Sequence, residues 1–213
     1  MKNVLTMIAV IAFAVNNLNA QSSSSSDNRG NFSFGVKAGT NFSNVYDSNG
    51  DDFVAEGKFG LAVGAFFIIP LGKVIGFQPE VLYSQKGYKS TGKFIGTAYS
   101  MTRTTDFIDI PLLVSIKPVE YVSVVFGPQF SYLLKKTDNF KGGTLTSTQE
   151  QNYKNNDLRK NLFALTGGAD INVQNFVIGV RAGWDLQENM GSGNTTTPRY
   201  KNVWYQATLG YKF

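Results

Sequence analysis

Val203-Trp-Tyr-Gln-Ala-Thr-Leu-Gly-Tyr-Lys-Phe213 ends the chain in a regular alternation. Val203, Tyr205, Ala207, Leu209, Tyr211 and Phe213 are apolar or aromatic, whereas after Trp204 the intervening residues are Gln206, Thr208, Gly210 and Lys212. A period of two sustained over such a stretch specifies a β-strand with two chemically different faces. An aromatic residue stands near each end of the apolar face. A strand that crosses a bilayer has about 9–11 residues and is ringed by aromatics at both interfaces, so this one has the length and decoration of a membrane strand. A water-soluble sheet could also use it, and the rest of the chain must decide.

The same alternation recurs upstream. Phe32, Phe34, Val36, Ala38 and Phe42 share one face of a first strand, and Phe59, Leu61, Val63, Ala65, Phe67 and Ile69 one face of a second. A third sets Phe77, Pro79, Val81 and Tyr83 against Gln78, Glu80 and Ser84; a fourth sets Ile108, Ile110, Leu112, Val114 and Ile116 against Asp109 and Ser115. Val122–Tyr132, Phe163–Asn172 and Phe176–Leu186 supply the fifth to seventh, and the terminal stretch is the eighth. Eight is an even number and the smallest common size of an up-and-down antiparallel membrane barrel. The connections alternate in length: 43–58, 88–103, 135–160 and 187–202 are long, while 70–73, 117–121 and 173–175 are tight. Outer-membrane barrels pair short periplasmic turns with long extracellular loops, whereas a soluble sandwich or ligand-binding barrel has no reason to gather all long loops at one end. Closure into a ring also removes the edge strands that lipid would not tolerate.

Composition agrees. Charged residues make up only 16% of the chain, against roughly 25% in an ordinary soluble domain. There is no cysteine and no histidine, which removes disulfides, thiolate sites and the commonest general base and zinc ligand. The net charge of +5 is scattered rather than gathered into a basic stripe, so a nucleic-acid footprint is not indicated. No cofactor is implied, and no spacing singles out a Ser–Lys pair or carboxylate dyad, so catalysis is not expected.

Residues 1–20 read as a signal peptide: Lys2, then the apolar run Val4–Val15, then a polar stretch ending in Ala20, with cleavage expected before Gln21 although Leu18 is large for its position. No cysteine at the junction means no lipoprotein anchor. Residues 21–30 form a flexible segment with five consecutive serines, and residues 31–213 are the expected barrel domain.

Several segments carry a likeness to a known family: Gly35-Val-Lys-Ala-Gly-Thr-Asn-Phe-Ser43, Phe77-Gln-Pro-Glu-Val-Leu-Tyr-Ser-Gln-Lys-Gly87, Ile108-Asp-Ile-Pro-Leu-Leu113, Gly127-Pro-Gln-Phe-Ser-Tyr-Leu133 and Leu209-Gly-Tyr-Lys-Phe213. In these the chain resembles the PorT-like small outer-membrane β-barrels of Bacteroidetes. The resemblance implies an outer-membrane location and an eight-stranded barrel like OmpA or OmpX. It implies little about activity, because fold does not fix function.

On the polar faces stand Lys37, Glu80, Asp109, Asp170, Arg181, Asp185 and Lys212. Three are cationic and four anionic, a near balance that favours a paired interior network over a conducting lumen, since an eight-stranded barrel is just wide enough for side chains to fill. Glu80 and Asp109 are expected to meet Lys37 or Arg181 near mid-height. Asp47-Ser-Asn-Gly-Asp-Asp52 starts like a calcium loop, but Lys58 stands where the ligating Glu belongs, and a polar turn is the simpler reading. Lys89, Lys93, Arg103, Lys135, Lys136 and Lys141 are expected in loops, in solvent or against lipopolysaccharide phosphates. Tyr211 and Phe213 are read as the insertion signal for the barrel-assembly machinery. The expectation is a monomeric barrel with a plugged polar interior and a structural or adhesive role. A narrow pore or transporter, an accessory of a secretion system with envelope partners, and a soluble ligand-binding barrel are its rivals.

Overall fold

The computed structural model describes residues 28–46, 55–94, 97–142, 145–152, 160–189 and 200–213. The expected signal peptide and the Asp47–Asp52 turn lie outside these residues. A short 3-10 turn at Asn28–Gly30 is followed by nine strands: β1 (Ser33–Tyr46), β2 (Ala55–Pro70), β3 (Ile75–Phe94), β4 (Thr97–Val119), β5 (Val122–Gly142), β6 (Leu145–Asn152), β7 (Asn161–Val173), β8 (Phe176–Asp185) and β9 (Lys201–Lys212). Eight of them close an antiparallel ring in the order β1-β2-β3-β4-β5-β7-β8-β9, and β9 pairs back onto β1 from Gly35↔Lys212 to Tyr46↔Lys201. The terminal alternating stretch is therefore the strand that shuts the ring.

Ring closure follows from the two-faced strands. Each buries one row inside and turns the other outward, and no backbone edge is left for hydrocarbon to desolvate. On β4 the outward row runs from Ile116 to Ile108 and on β5 from Val124 to Leu134, after which the outward positions become Asp106 and Lys135. That apolar height sets the membrane-spanning part of β4 and β5 at 107–116 and 122–134. Val180, Leu209, Phe126 and Ile178 are each at least half exposed, and their neighbours in the belt are likewise apolar. Trp184 also points outward, whereas Trp204, its neighbour across β8 and β9, is 1% exposed and lies inside. Aromatic contacts mark both rims: Phe34–Phe213, Tyr211–Phe213 and Phe176–Tyr211 at the end of the tight turns, Phe42–Phe59 and Phe130–Phe163 at the other.

Much of two of the expected long loops, 88–103 and 135–160, is instead strand. β3 and β4 stay paired up to Phe94↔Thr97, and β4 and β5 up to Tyr99↔Gly142. β6 arises within the expected 135–160 loop and pairs with β5 from Lys135↔Asn152 to Gly142↔Leu145. β3, β4, β5 and β6 thus continue as a four-stranded sheet above the belt. The sequence hid this because its alternation there is polar on both faces, as befits a sheet in water.

Two glycines fit where a side chain would not. Gly87 has φ of +145° and a Cβ there would stand 2.1 Å from the carbonyl oxygen of Arg103. It sits beside an irregularity in β2–β3 pairing, a bulge-like feature for which glycine is the ready residue. Gly183 makes room for the Trp204 indole, whose ring atom lies 2.3 Å from where a Cβ would be.

Candidate functional site: the barrel interior

The interior is filled in layers, described from the tight-turn end upward. At the bottom Phe66, Ile68 and Val177 form an apolar layer. Directly above, Glu80 on β3 receives the Lys37 ammonium from β1 and lies 3.5 Å from Arg181 Nη2 on β8. Arg181 also holds Asp170 on β7, with Nη1 2.7 Å from Oδ1 and Nη2 2.9 Å from Oδ2. Gln78 donates through Nε2 to Glu80 Oε1 (3.0 Å) and Asp170 Oδ2 (3.2 Å), tying the two carboxylates together. Two cations and two anions from four strands neutralise one another. All are 6% exposed or less, so pairing and hydrogen bonding must offset a large desolvation cost.

At mid-height Asp109 on β4 pairs with Lys86 on β3 at 3.0 Å. The Lys86 ammonium stands 3.7 Å from the centre of the Trp204 ring and 5.0 Å from that of Phe107, a cation–π arrangement in a desolvated setting. Asp185 accepts hydrogen bonds from the backbone and side-chain amides of Asn202. Beside them Gln206 Nε2 donates to Asn41 Oδ1 (2.9 Å), and Asn41 Nδ2 donates to Ser84 Oγ (2.8 Å). Apolar Leu82, Leu113 and Val125 fill the remaining space, each 2% exposed or less.

Above the belt a fourth layer closes the other end. Arg103 grips Asp138 with two parallel bonds, Nε–Oδ1 2.7 Å and Nη2–Oδ2 2.9 Å. Lys136 joins the same carboxylate at 3.1 Å. Burial, and next the Arg103 guanidinium, push the Lys136 ammonium below the ordinary lysine range. Tyr88 and Tyr200 meet edge to face at 5.4 Å, with Arg103 5.6 and 6.0 Å from their rings.

Lys37, Glu80, Asp170 and Arg181 therefore come together. Glu80 meets both expected cations, but Asp109 meets Lys86 and not Lys37 or Arg181. Asp185 is capped by Asn202, and Lys212 stands apart at the tight-turn rim, donating to Asn172 Oδ1 at 3.2 Å. Lys86 is an interior residue that sequence reasoning passed over, whereas Gln78 stands on the inward face expected of it. Lys86 has the same parity as Glu80, Leu82 and Ser84, so extending the third strand past Ser84 would have found it. Arg103 and Lys136, expected in loops, are on strands and point inward. Tyr211 and Phe213 face outward at the rim, 40% and 60% exposed. Among the described residues no group of three or more acidic side chains could hold a metal.

A closed antiparallel ring, apolar outside and ion-paired within, defines an integral β-barrel membrane protein. The chain belongs to the family described as outer membrane protein beta-barrel domain, whose model matches residues 19–188, and the outer membrane is accordingly its place. No curated protein matches it. Among solved structures it is similar to Ail, the attachment invasion locus protein of Yersinia pestis, at 12% identity over 85% of this chain and 98% of that one, with a TM-score of 0.46. It is similar also to Neisserial surface protein A, at 13% identity over 86% and 99% of the chains and a TM-score of 0.47. The outer membrane protease OmpT from Escherichia coli matches at 10% identity over 85% and 95%, with a TM-score of 0.45.

Proposed function

We infer that this protein is a non-conducting, non-catalytic outer-membrane barrel that acts as a rigid mount for an extracellular contact surface. One observation carries the reading. Four successive layers of paired or packed side chains cross the lumen, and two cavities between them measure only about 10 Å³ each. A hydrated ion needs a continuous path, and a water molecule alone needs about that much space. The four-stranded extension of β3–β6 is the surface such a mount would present.

The chain is read as exported by cleavage after Ala20 and inserted by the barrel-assembly machinery, with Tyr211 and Phe213 in the recognised strand. It is read as a monomer in lipid and lipopolysaccharide. Among the described residues, Lys89 and Lys141 are exposed basic residues of the extension that could reach headgroup phosphates. A PorT-like affiliation, with its secretion-system or envelope partners, rests on the sequence segments alone.

Planar-bilayer recording of the purified protein tests the central statement. The expected trace is flat at the leak level of protein-free lipid; steady open-channel current would reject the plugged barrel in favour of a narrow pore or transporter.

A further inference from the structure

A cavity lies at the periplasmic mouth of the barrel, below the apolar layer. It measures about 440 Å³, within the usual range for small-molecule sites of about 300–1,000 Å³. Three cationic side chains from three separate parts of the chain line it: Arg29 of the 3-10 turn, Lys117 at the end of β4 and Lys212 at the end of β9. Glu120 is the acidic residue among those lining it. We propose that this mouth is a binding site for a phosphate group on a headgroup-sized molecule.

Lys117 and Lys212 are held in place by neutral partners. The Lys117 ammonium donates to the carbonyl of Arg29 at 3.3 Å, and Arg29 Nη1 reaches back to the carbonyls of Lys117 (3.5 Å) and Pro118 (3.3 Å). The Lys117 amide bonds the carbonyl of Val74 in the adjacent tight turn, so this lysine sits at turn level, outside the spanning segment. Lys212 donates to Asn172 Oδ1, and Asn172 Nδ2 donates to Ser123 Oγ at 3.2 Å. Each ammonium has three N–H donors, so both lysines keep donors for a ligand, and the Ser123 hydroxyl hydrogen is left to donate as well. Among the described residues no carboxylate forms an ion pair with Lys117 or Lys212. Asp170, further up the barrel, is already held by Arg181 and Gln78.

Lys117 is only 7% exposed. Burial, with Lys212 and then Arg29 as its charged neighbours, pushes its ammonium below the ordinary lysine range. Like charges gathered in a concave, half-desolvated site repel one another until an anion enters, which is the electrostatic signature of an oxyanion site. Tetrahedral phosphate suits donors arriving from several directions, and lysine is a regular phosphate partner. Exposed Tyr121 and Val173 at the rim border the lipid side, so the phosphate could come from a phospholipid headgroup or from a soluble phosphoester. Neither source depends on whether the barrel conducts.

The full chain, folded in detergent, is titrated with glycerol 3-phosphate by calorimetry. In parallel it is reconstituted in phosphatidylglycerol vesicles, and lipid retained after extraction is counted by native mass spectrometry. Lys212→Gln, which leaves the Lys117–Arg29 contacts intact, and the double variant Lys117→Gln/Lys212→Gln are compared with Lys73→Gln on the neighbouring turn, each first shown to be folded. Heat that weakens at least tenfold in the double variant but not in Lys73→Gln assigns a soluble phosphoester. A retained lipid lost in the same variant, without heat from glycerol 3-phosphate, assigns the headgroup. If neither probe is held, or if both are held equally by the double variant, the site does not exist.

Discussion

Glu80 is the residue on which the lower interior turns, because it touches both Lys37 and Arg181. Removing one member of a buried ion-paired set leaves an uncompensated charge, at about 3–5 kcal/mol. Glu80→Ala is therefore expected to lower unfolding stability in detergent by that amount, as measured by urea denaturation. Replacing the pair together, Lys37→Met with Glu80→Leu, is expected to recover most of it, since apolar groups of similar volume are often neutral in such places. An Ala variant as stable as the parent would show that the network is decoration. The charges of this layer were legible in the sequence as residues of common parity, but their partners were not. Which cation faces which carboxylate depends on strand stagger, and alternation is blind to that. Asp109 pairs with Lys86 because β3 and β4 register Leu82 against Asp109, bringing the next two inward positions of β3 within reach.

Among elements, β8 shows how firmly the lipid assignment constrains a strand. Its outward row of Phe176, Ile178, Val180 and Trp184 was readable from the sequence alone, because each strand repeats one contrast between hydrocarbon and polar filler. An arginine on a lipid face costs about 2–4 kcal/mol at the bilayer midplane and about 0–1 near an interface. Val180→Arg is expected to pay the midplane penalty and Leu186→Arg, at the end of the row, close to none; refolding equilibria into vesicles distinguish them. Equal costs would mean that lipid does not bathe this face. β6 was not legible, since both of its faces are polar and no period separates such a strand from a loop. Its existence follows from β5 outgrowing the belt and needing a partner for its free backbone.

At the scale of the whole molecule, the seam between β1 and β9 makes folding all-or-none. Without β9, β1 and β8 would each present an unpaired backbone row to hydrocarbon, and unsatisfied groups there cost several kcal/mol each. A chain ending before Lys201 is accordingly expected to lose the heat-modifiable, compact gel band that the full protein gives in unboiled detergent samples. Persistence of that band would require the ring to close by another pairing. Length, alternation and the tight turns made the barrel readable, whereas the basic mouth was not. Arg29, Lys117 and Lys212 lie far apart in the chain and only ring closure gathers them.

The two indoles face different solvents. Trp184 looks out into acyl chains and Trp204 looks in, stacked under the Lys86 ammonium. A cation held against an excited ring perturbs its emission, while a ring among lipid tails answers to quenchers dissolved in them. The chain thus carries a matched pair of optical reporters, one for the bilayer and one for the ion-paired interior, without any label being added.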